Sequence, residues 1–371
     1  MTLDFRLSDL NHMYDHNYLS EFTTEVFMRI GCSREDAGAV ASVLIAAELR
    51  GHSSHGMIRI REYYDLWKSG RVNVTPDVKV VHQTPSTAVI DGDRCFGMIA
   101  GVKSMKLAIE KAAVTGTGWV AARNSNHFGI AGYYAMMALE HDMTGICVTN
   151  ANPLVVPTWS VSRYLGTNPL AVAVPALHEP PFVADFATTP IARGKLAVAE
   201  KKGEKVPLGF VQDAEGNPSD DPGILRRGGG MLTLGGDRLH GSHKGYCMAA
   251  VVDIFSSVFS GANFGPFVPP SVAYLPVPEN QVGEGTGHFF GAMRIDAFRP
   301  ADEFKASMDE WIRTFRNAKP IKGETRVLIP GDPEREAEEQ NRKSGIMLVP
   351  AVVDDLRVIA AGLGVQFTQQ M

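Results

Sequence analysis

Features that mark several classes of protein are missing from this sequence. Its 371 residues include only four cysteines, and none of them forms a CxxC pair, which argues against a zinc ribbon or a disulfide framework. No apolar run approaches the roughly 18 residues that a membrane-spanning helix needs, and the N-terminus lacks the basic start and apolar stretch of a secretory signal. We therefore expect a cytoplasmic protein with no membrane partner.

Strongly basic segments are missing too. The formal net charge is -5, and no dense run of lysine and arginine occurs, whereas a nucleic-acid-binding surface is usually a basic stripe or patch. We therefore expect no nucleic-acid partner. With 44% hydrophobic and 21% charged residues, the chain can bury a large core, and its length is typical of about two or three domains.

The glycine fingerprint of dinucleotide-binding folds is also missing. The string "GTGWVA" (116–121) follows a helix-like run and precedes a strand-like run, whereas a fingerprint loop needs the strand before and the helix after. The stretch "RRGGGMLTLGG" (226–236) is not a P-loop, because no Lys-Ser/Thr follows its glycines. Any nucleotide must be held without the familiar loop.

Periodic patterns indicate how the chain is organised. Apolar residues recur at helical spacing in three runs before residue 75, and Ser33 with Asp36 caps the second run. The charged segment after residue 300 is also helical in pattern. Between these regions, short β-branched runs alternate with helices. The pattern predicts an α/β fold (mixed α+β) with a helical domain from 1–75 plus 301–371 and a mixed α/β domain from 76–300.

One predicted helix is apolar on most sides. The stretch "KGYCMAAVVDIFSSVFSG" (244–261) carries apolar residues around most of a helical wheel, including Met248, Val251, Val252, Ile254, Phe255 and Phe259. A helix that is apolar all round is typically buried. We therefore expect this helix to be central in the fold.

Four short stretches concentrate polar side chains at the ends of elements, where functional sites are often built. They are "RGHSSHGMIRI" (50–60), "SNHFGIAGYYA" (125–135), "YLGTNPLAV" (164–172) and "GSHKGYCMA" (241–249). Taken singly, each histidine is equally consistent with a structural role. The HxxH pairs at 52/55 and 240/243 leave a metal site open, although no carboxylate or cysteine lies beside either pair and the spacing is not that of a zinc-binding helix.

Taken together, five motifs resemble one known family. "SSHGMIRI", "SNHFGIAGYYA", "LGTNPLAVAVP", "DFATTPIARGKL" and "SHKGY" are similar, in order and spacing, to the bacterial and archaeal malate/L-lactate dehydrogenases that lack a Rossmann fold. That family also includes sulfolactate, ureidoglycolate, diketogulonate and cyclic-imine carboxylate reductases. The resemblance spans about residues 15 to 350. It implies a mixed-sheet NAD(P)-binding domain, NAD or NADP as cofactor, a small 2-hydroxy or 2-oxo acid as substrate, and a homodimer.

The resemblance also implies residue roles. His55 would be the general acid that protonates the substrate oxygen, with Ser54 holding its ring, and an imidazole suits this because its unperturbed pKa is about 6.5. Arg59 would bind the substrate carboxylate, and Thr167 would be a second substrate contact. His127 is the rival acid–base. The implied cofactor contacts are His127, Phe128, Gly129, Asp185, Phe186, Ala187, His243, Lys244 and Gly331, and no metal is expected.

Two departures from the family pattern bear on specificity. Many members have a Gly-Gly pair where this chain has "VVPTWSVSRYLG", with Trp159 and Arg163, which leaves the choice of NAD or NADP open. Lys195 stands where the cyclic-imine branch has an acidic residue, which favours the hydroxy-acid branch. The alternatives are a cyclic-imine reductase, a metal-dependent hydrolase built on the HxxH pairs, and a cofactor-binding protein without turnover.

Overall fold

A computed structural model describes residues 12–368 of the chain. The helices within this range are α1 (His16–Arg29), α2 (Arg34–Leu49), α3 (Arg59–Lys68), α4 (Gly97–Thr115), α5 (Ala131–Met137), α6 (Arg193–Lys202), α7 (Ser242–Asp253), α8 (Ala301–Arg316), α9 (Asp332–Ser344) and α10 (Pro350–Leu363). The strands are β1 (Met13–Tyr14), β2 (Lys79–Gln83), β3 (Thr87–Asp91), β4 (Thr117–Ser125), β5 (Met143–Thr149), β6 (Leu170–Val174), β7 (Phe182–Phe186), β8 (Val211–Gln212), β9 (Pro218–Ser219), β10 (Gly230–Met231), β11 (Thr286–Arg294) and β12 (Ile346–Met347).

A mixed seven-stranded sheet forms the centre of the molecule. Its strand order is β2-β3-β4-β11-β5-β6-β7, and only β3 and β4 pair in parallel. Strand β11 comes last in sequence among these seven strands, yet it lies between β4 and β5 and pairs antiparallel with both. This arrangement differs from a doubly wound parallel sheet. The predicted mixed α/β fold without a Rossmann topology is confirmed.

The first and last segments of the described chain meet on one side of the sheet. Strand β1 pairs with β12, so that Met13 lies opposite Met347, and α10 contacts α1 and α3. Helix α8 instead lies beside the sheet edge, where Asp309 accepts the backbone N–H groups of residues 177–179. The division into a helical domain and a mixed α/β domain with boundaries at 75 and 301 stays a prediction.

Several local predictions from the sequence are confirmed. Ser33 accepts the backbone N–H of Asp36 and donates its hydroxyl hydrogen to the Asp36 carboxylate, which caps α2. In "GTGWVA", Gly116 ends α4 with a φ of 86°, and β4 begins at the next residue. The order is therefore helix then strand, opposite to that of a dinucleotide fingerprint. Within residues 12–368, no helix is long and apolar enough to cross a membrane.

The expectation that the helix of residues 244–261 is central is wrong. One face of α7 and of the π-helical turn that continues it (Ile254–Val258) packs inward through Val252, Ser256 and Ser257. The opposite face, which we call the outer face of α7, is 37% to 61% exposed at every position and consists of Met248, Val251, Ile254, Phe255, Val258 and Phe259. The apolar composition around the whole helix did not reveal that about half of its apolar residues lie on the surface of the chain.

Candidate functional site

The first histidine motif forms a tight turn between α2 and α3. Helix α2 ends through Gly51, whose φ is 77°, and residues 53–55 form one turn of 3₁₀-helix. Within this turn, the Ser54 Oγ lies 2.9 Å from the Nδ1 of His55. Arg59, the first residue of α3, donates from Nε to the Ser54 carbonyl at 2.7 Å. The turn therefore places the imidazole and the guanidinium next to each other.

The second histidine motif meets the first across the fold. His127 follows β4, and its ring stacks on that of His55 with 5.5 Å between the centroids. The His127 Nδ1 lies 2.8 Å from the Tyr63 hydroxyl and 3.4 Å from the Gly129 backbone N. Because a backbone N–H only donates, this geometry assigns Nδ1 as the acceptor and places the ring proton on Nε2.

Both histidines line one cavity, which we call the histidine cavity. It lies where β4 and β5 end and β11 begins. Three predicted site residues besides the two histidines also line it: Phe128, Gly129 and Thr167. The remaining lining residues are Thr149, Asn150, Ala151, Asn152, Pro169, Pro269, Ser271 and Thr286. Three of the four polar stretches singled out in the sequence therefore contribute to a single cavity.

Both histidines of the cavity favour the neutral form. Burial, followed by the nearby Arg59 and His52, lowers the pKa of His55 to about 3. Burial, followed by Arg59 and His55, lowers the pKa of His127 well below its usual range. The guanidinium of Arg59 forms an ion pair with Glu62, one turn along α3. At neutral pH the cavity thus holds two uncharged imidazoles, and the ion pair of Arg59 with Glu62 lies nearby.

Two buried asparagines support the cavity wall. The Oδ1 of Asn168, a residue with a φ of 36°, accepts the Ala151 N–H, and its Nδ2 donates to the Ala249 carbonyl. Asn150 accepts the Gly287 N–H and donates to Asp253 on α7. Burial raises the pKa of Asp253 to about 6. These amides connect the lining loops to α7, and of the two only Asn168 lay in a stretch that the sequence analysis singled out.

A third histidine, which is fully buried, was missed by the sequence analysis. His288 on β11 contacts the Thr149 hydroxyl from Nδ1 at 2.7 Å and the Ser125 hydroxyl from Nε2 at 2.9 Å. Its ring stacks on Phe128 with 4.6 Å between centroids, and burial lowers its pKa to about 3. Its only sequence signal was a lone histidine in an apolar strand, and its partners come from strands far away in sequence.

The predicted cofactor residues of β7 and α9 lie outside the histidine cavity. The Asp185 carboxylate accepts the Gly132 N–H at 2.7 Å at the start of α5, and burial raises its pKa. Phe186 and Ala187 follow it at the end of β7, and Gly331, with a φ of 99°, lies against Val183 of the same strand. A Cβ at residue 331 would lie 3.2 Å from the Val183 side chain. Backbone packing therefore accounts for the glycine, and a cofactor role of these residues stays a prediction.

His243 and Lys244 also lie outside the histidine cavity, in the first turn of α7. His243 contacts the Arg238 guanidinium at 2.6 Å, and Arg238 lies over the exposed ring of Trp159. The guanidinium of Arg163 is held by the carbonyls of residues 225 and 229, which is a structural role. The cofactor role of His243 and Lys244 stays a prediction.

The position of Lys195 bears on the cyclic-imine alternative. Lys195 lies in the first turn of α6, and the Cβ position of the preceding Gly194 is 3.4 Å from the Ser54 Cβ. An acidic side chain on this turn would lie near the histidine motif. The exposed lysine offers no such carboxylate.

The HxxH pair at 52 and 55 has different neighbours at its two ends. His52 lies 4.0 Å from the Glu334 carboxylate, whereas His55 contacts Ser54 and stacks on His127. In the part of the chain that the structure describes, no three His, Cys, Asp or Glu side chains converge on a point where they could hold a metal ion. His240, of the other pair, contacts Asp237 on the surface.

Comparison with known proteins identifies the family. The family model of malate/L-lactate dehydrogenase matches residues 14–357. Malate dehydrogenase of Pyrococcus abyssi is 42% identical over 360 residues, which cover 95% of this chain and 97% of that protein. The chain belongs to the malate/L-lactate dehydrogenase family. L-sulfolactate dehydrogenase of Methanocaldococcus jannaschii is 38% identical, with 92% of this chain and 94% of that protein covered.

The fold agrees with the family. The structure of malate dehydrogenase from Pyrococcus horikoshii matches with a TM-score of 0.88 and 37% sequence identity, covering 99% of this chain and 100% of that one. The family resemblance inferred from the five motifs is therefore confirmed. The chain is an oxidoreductase that acts on hydroxy acids, and membership of this family implies a nicotinamide cofactor.

Proposed function

We propose that this enzyme interconverts a small 2-hydroxy acid and its 2-oxo acid, with NAD or NADP as hydride acceptor or donor. The observation that carries the proposal is that His55, which lines the histidine cavity, and the Arg59 guanidinium both contact Ser54. A 2-oxo acid presents a carbonyl that must gain a proton and a carboxylate that needs a positive partner. The two side chains meet these two requirements.

His55 is the better candidate for the acid–base group. Its Nδ1 faces the Ser54 hydroxyl, which is able both to donate and to accept, so the ring can change its protonation state without losing this partner. The His127 Nδ1 is instead fixed as an acceptor by Tyr63 and Gly129. His127 accordingly presents an Nε2–H, which suits it to donating a hydrogen bond to substrate or cofactor.

Substrate binding would adjust the acidity of His55. The positive charge of Arg59 is one cause of the lowered His55 pKa. A substrate carboxylate bound to Arg59 would neutralise that charge and so raise the His55 pKa. To receive the carboxylate, Arg59 would exchange its ion pair with Glu62 for a pair with the substrate. Thr167, which lines the same cavity as His55, would be a second substrate contact.

The lining of the histidine cavity suits a nicotinamide. A carboxamide needs both hydrogen-bond donors and acceptors, and Thr149, Asn152, Ser271 and Thr286 supply hydroxyl and amide groups. When bound, the nicotinamide supplies or accepts the hydride. We propose that His127, Phe128 and Gly129 hold this end of the cofactor. The remainder would lie along residues 185–187, His243, Lys244 and Gly331, as the family resemblance implies.

We also propose that the enzyme acts as a homodimer in which a second copy covers the outer face of α7. The six apolar side chains of this face form a continuous surface at helical spacing, and contiguous apolar surfaces commonly mark interfaces. A twofold axis would place the outer face of α7 of one copy against the same face of the other copy, so this apolar surface would be buried in both copies.

A substrate panel tests the proposed function. Purified enzyme is given NADH or NADPH with pyruvate, oxaloacetate, sulfopyruvate, phenylpyruvate, diketogulonate or piperideine-2-carboxylate, and cofactor oxidation is followed by absorbance. We expect turnover with at least one 2-oxo acid. Turnover of the cyclic imine alone would favour the imine reductase instead. Absence of oxidation with every substrate and both cofactors would contradict the proposal, and abolition of activity by a chelator would revive the metal-dependent alternative.

A further inference from the structure

A buried carboxyl group lies beneath the turn that carries His55. Glu48, in the last turn of α2, is only 3% exposed. A carboxylate at the C-terminal end of a helix is placed unfavourably toward the helix dipole, and its burial costs free energy unless hydrogen bonds compensate. Burial raises the pKa of Glu48 to about 7, and its contacts with Met57 and Ser53 oppose that rise. Such an unfavourable position indicates that Glu48 has a specific role.

Glu48 contacts the turn on both sides of Ser54 and His55. Its Oε1 accepts the Met57 backbone N–H at 2.7 Å, and the Ser53 side chain faces the same carboxylate. Between them, Gly56 lies so close that a Cβ there would be 2.3 Å from Oε1. A side chain at residue 56 would therefore displace the Glu48 carboxylate from the turn.

The end of α2, which carries Glu48, is itself held in place by another helix. Asn341 of α9 donates from Nδ2 to the carbonyls of Glu48 and Leu49, at 3.1 and 2.9 Å. The side chain of Glu48 then reaches from this fixed helix end to the backbone of the turn. Any shift of the turn relative to α2 would break the short hydrogen bond to Met57.

We propose that Glu48 is a positioning residue, which holds the turn 53–57 so that the His55 imidazole meets the substrate oxygen. The inference rests on the acid–base role proposed above for His55. Glu48 touches neither substrate nor cofactor in this assignment. Its contribution is to keep the proton-transfer distance short, which matters because small misplacements of a reacting group lower rates steeply.

Two substitutions separate the hydrogen bond from the bulk of the side chain. Glu48→Met keeps the length and removes the acceptor, whereas Glu48→Gln keeps an acceptor oxygen. The matched control is Asp309→Asn, at a buried carboxylate that also accepts backbone N–H groups but lies on α8 beside the sheet edge. Each full-length variant is assayed for kcat and for both KM values below its unfolding temperature. Hydrogen–deuterium exchange of the peptide that contains Met57 is measured in parallel.

In Glu48→Met, we expect kcat to fall about 10- to 100-fold with the cofactor KM unchanged, and the Met57 peptide to exchange faster. Glu48→Gln should restore most of kcat, and Asp309→Asn should leave kcat unchanged. A kcat in Glu48→Met equal to that of the parent enzyme would overturn the proposal, as would a Glu48→Gln enzyme as slow as Glu48→Met. If the parent enzyme turns over no 2-oxo acid, the proposed function fails, and unchanged exchange in Glu48→Met would then separately refute the positioning contact.

Discussion

The histidine cavity and the outer face of α7 depart from the usual distribution of side chains in opposite directions. At the cavity, the half-buried imidazole of His127 pairs with the Tyr63 hydroxyl, and the buried hydroxyl of Thr149 pairs with His288. On the outer face of α7, six large apolar side chains are exposed instead. Folded proteins usually bury apolar groups and expose polar ones. Both regions therefore raise the free energy of the isolated folded chain.

The histidine cavity and the outer face of α7 are typical of binding sites for different kinds of partner. Half-buried histidines with lowered pKa values at a cavity are typical of a site that binds and transforms a small molecule. An exposed apolar helix face is typical of a surface that another protein covers. The buried network of Asn150 and Asp253 joins the two regions, because Asp253 lies on the inner side of α7 and Asn150 lines the cavity. Single substitutions can perturb the histidine cavity and the outer face of α7 separately.

The largest effect is expected from removing the imidazole of His55. Replacement by alanine (His55→Ala) should lower kcat about 10²- to 10⁴-fold, because the proton donor is lost, while the affinity for the cofactor is kept. Steady-state kinetics and a cofactor titration measure the two quantities. His82→Ala, at an exposed histidine of the edge strand β2, is the matched control. A variant that keeps its turnover but loses cofactor binding would show that His55 has another role.

A charge on the outer face of α7 should weaken the dimer. Val258→Asp places one carboxylate from each copy in the proposed interface, and the cost of desolvating these charges should raise the dissociation constant by about 100-fold or more. Sedimentation velocity over a range of concentrations measures this change. Val114→Asp, at a valine that is 85% exposed on α4, is the control. A parent enzyme that sediments as a monomer at all concentrations would contradict the proposed homodimer.

Loss of the guanidinium should chiefly weaken substrate binding. Arg59→Ala should raise the substrate KM about 10- to 150-fold, which corresponds to the roughly 1.5 to 3 kcal/mol of a hydrogen bond to a charged group. Arg61→Ala removes an arginine whose side chain is 42% exposed and pairs with Asp65, and it should leave KM unchanged. Equal effects of the two substitutions would argue against a specific role of Arg59.

The smallest effect is expected at the hydroxyl that fixes His127. Tyr63→Phe removes one hydrogen bond to Nδ1 and should lower kcat/KM about 2- to 10-fold, in line with the roughly 0.5 to 1.5 kcal/mol of such a bond. Tyr64→Phe, at the neighbouring position, is the control. If His127 rather than His55 were the proton donor, Tyr63→Phe would shift the pH profile of kcat, and an unshifted profile supports the assignment made here.

The elements could be predicted from the sequence where local patterns decide them. The periodic helices at both ends and the cap at Ser33 depend on neighbours a few residues apart, which the sequence displays directly. The insertion of β11 between β4 and β5 could not be predicted, because strand order depends on contacts more than 100 residues apart. The position of α7 was predicted wrongly because apolarity shows that a face needs covering, but not whether the same chain covers it.

The site could be predicted in part. The motifs located His55, His127 and Thr167, which the fold places around one cavity. Tyr63 lies in one of the predicted helices, but its role could not be predicted, since its hydroxyl contact with His127 spans 64 residues. Glu48 and His288 were not singled out in the sequence for the same reason, because their significance depends on partners brought together by the fold. Motifs thus identified reacting groups better than the groups that hold them.

The contact of Asn341 with the end of α2 has a consequence for the order of folding during synthesis. The histidine turn is made early on the ribosome, whereas Asn341 and α10 are made almost 300 residues later. Domains generally fold as units when their last segment becomes available. The nascent chain can therefore form its first helices and its sheet while the turn around His55 still lacks its support. Catalytic competence should be gained only after α9 has left the exit tunnel.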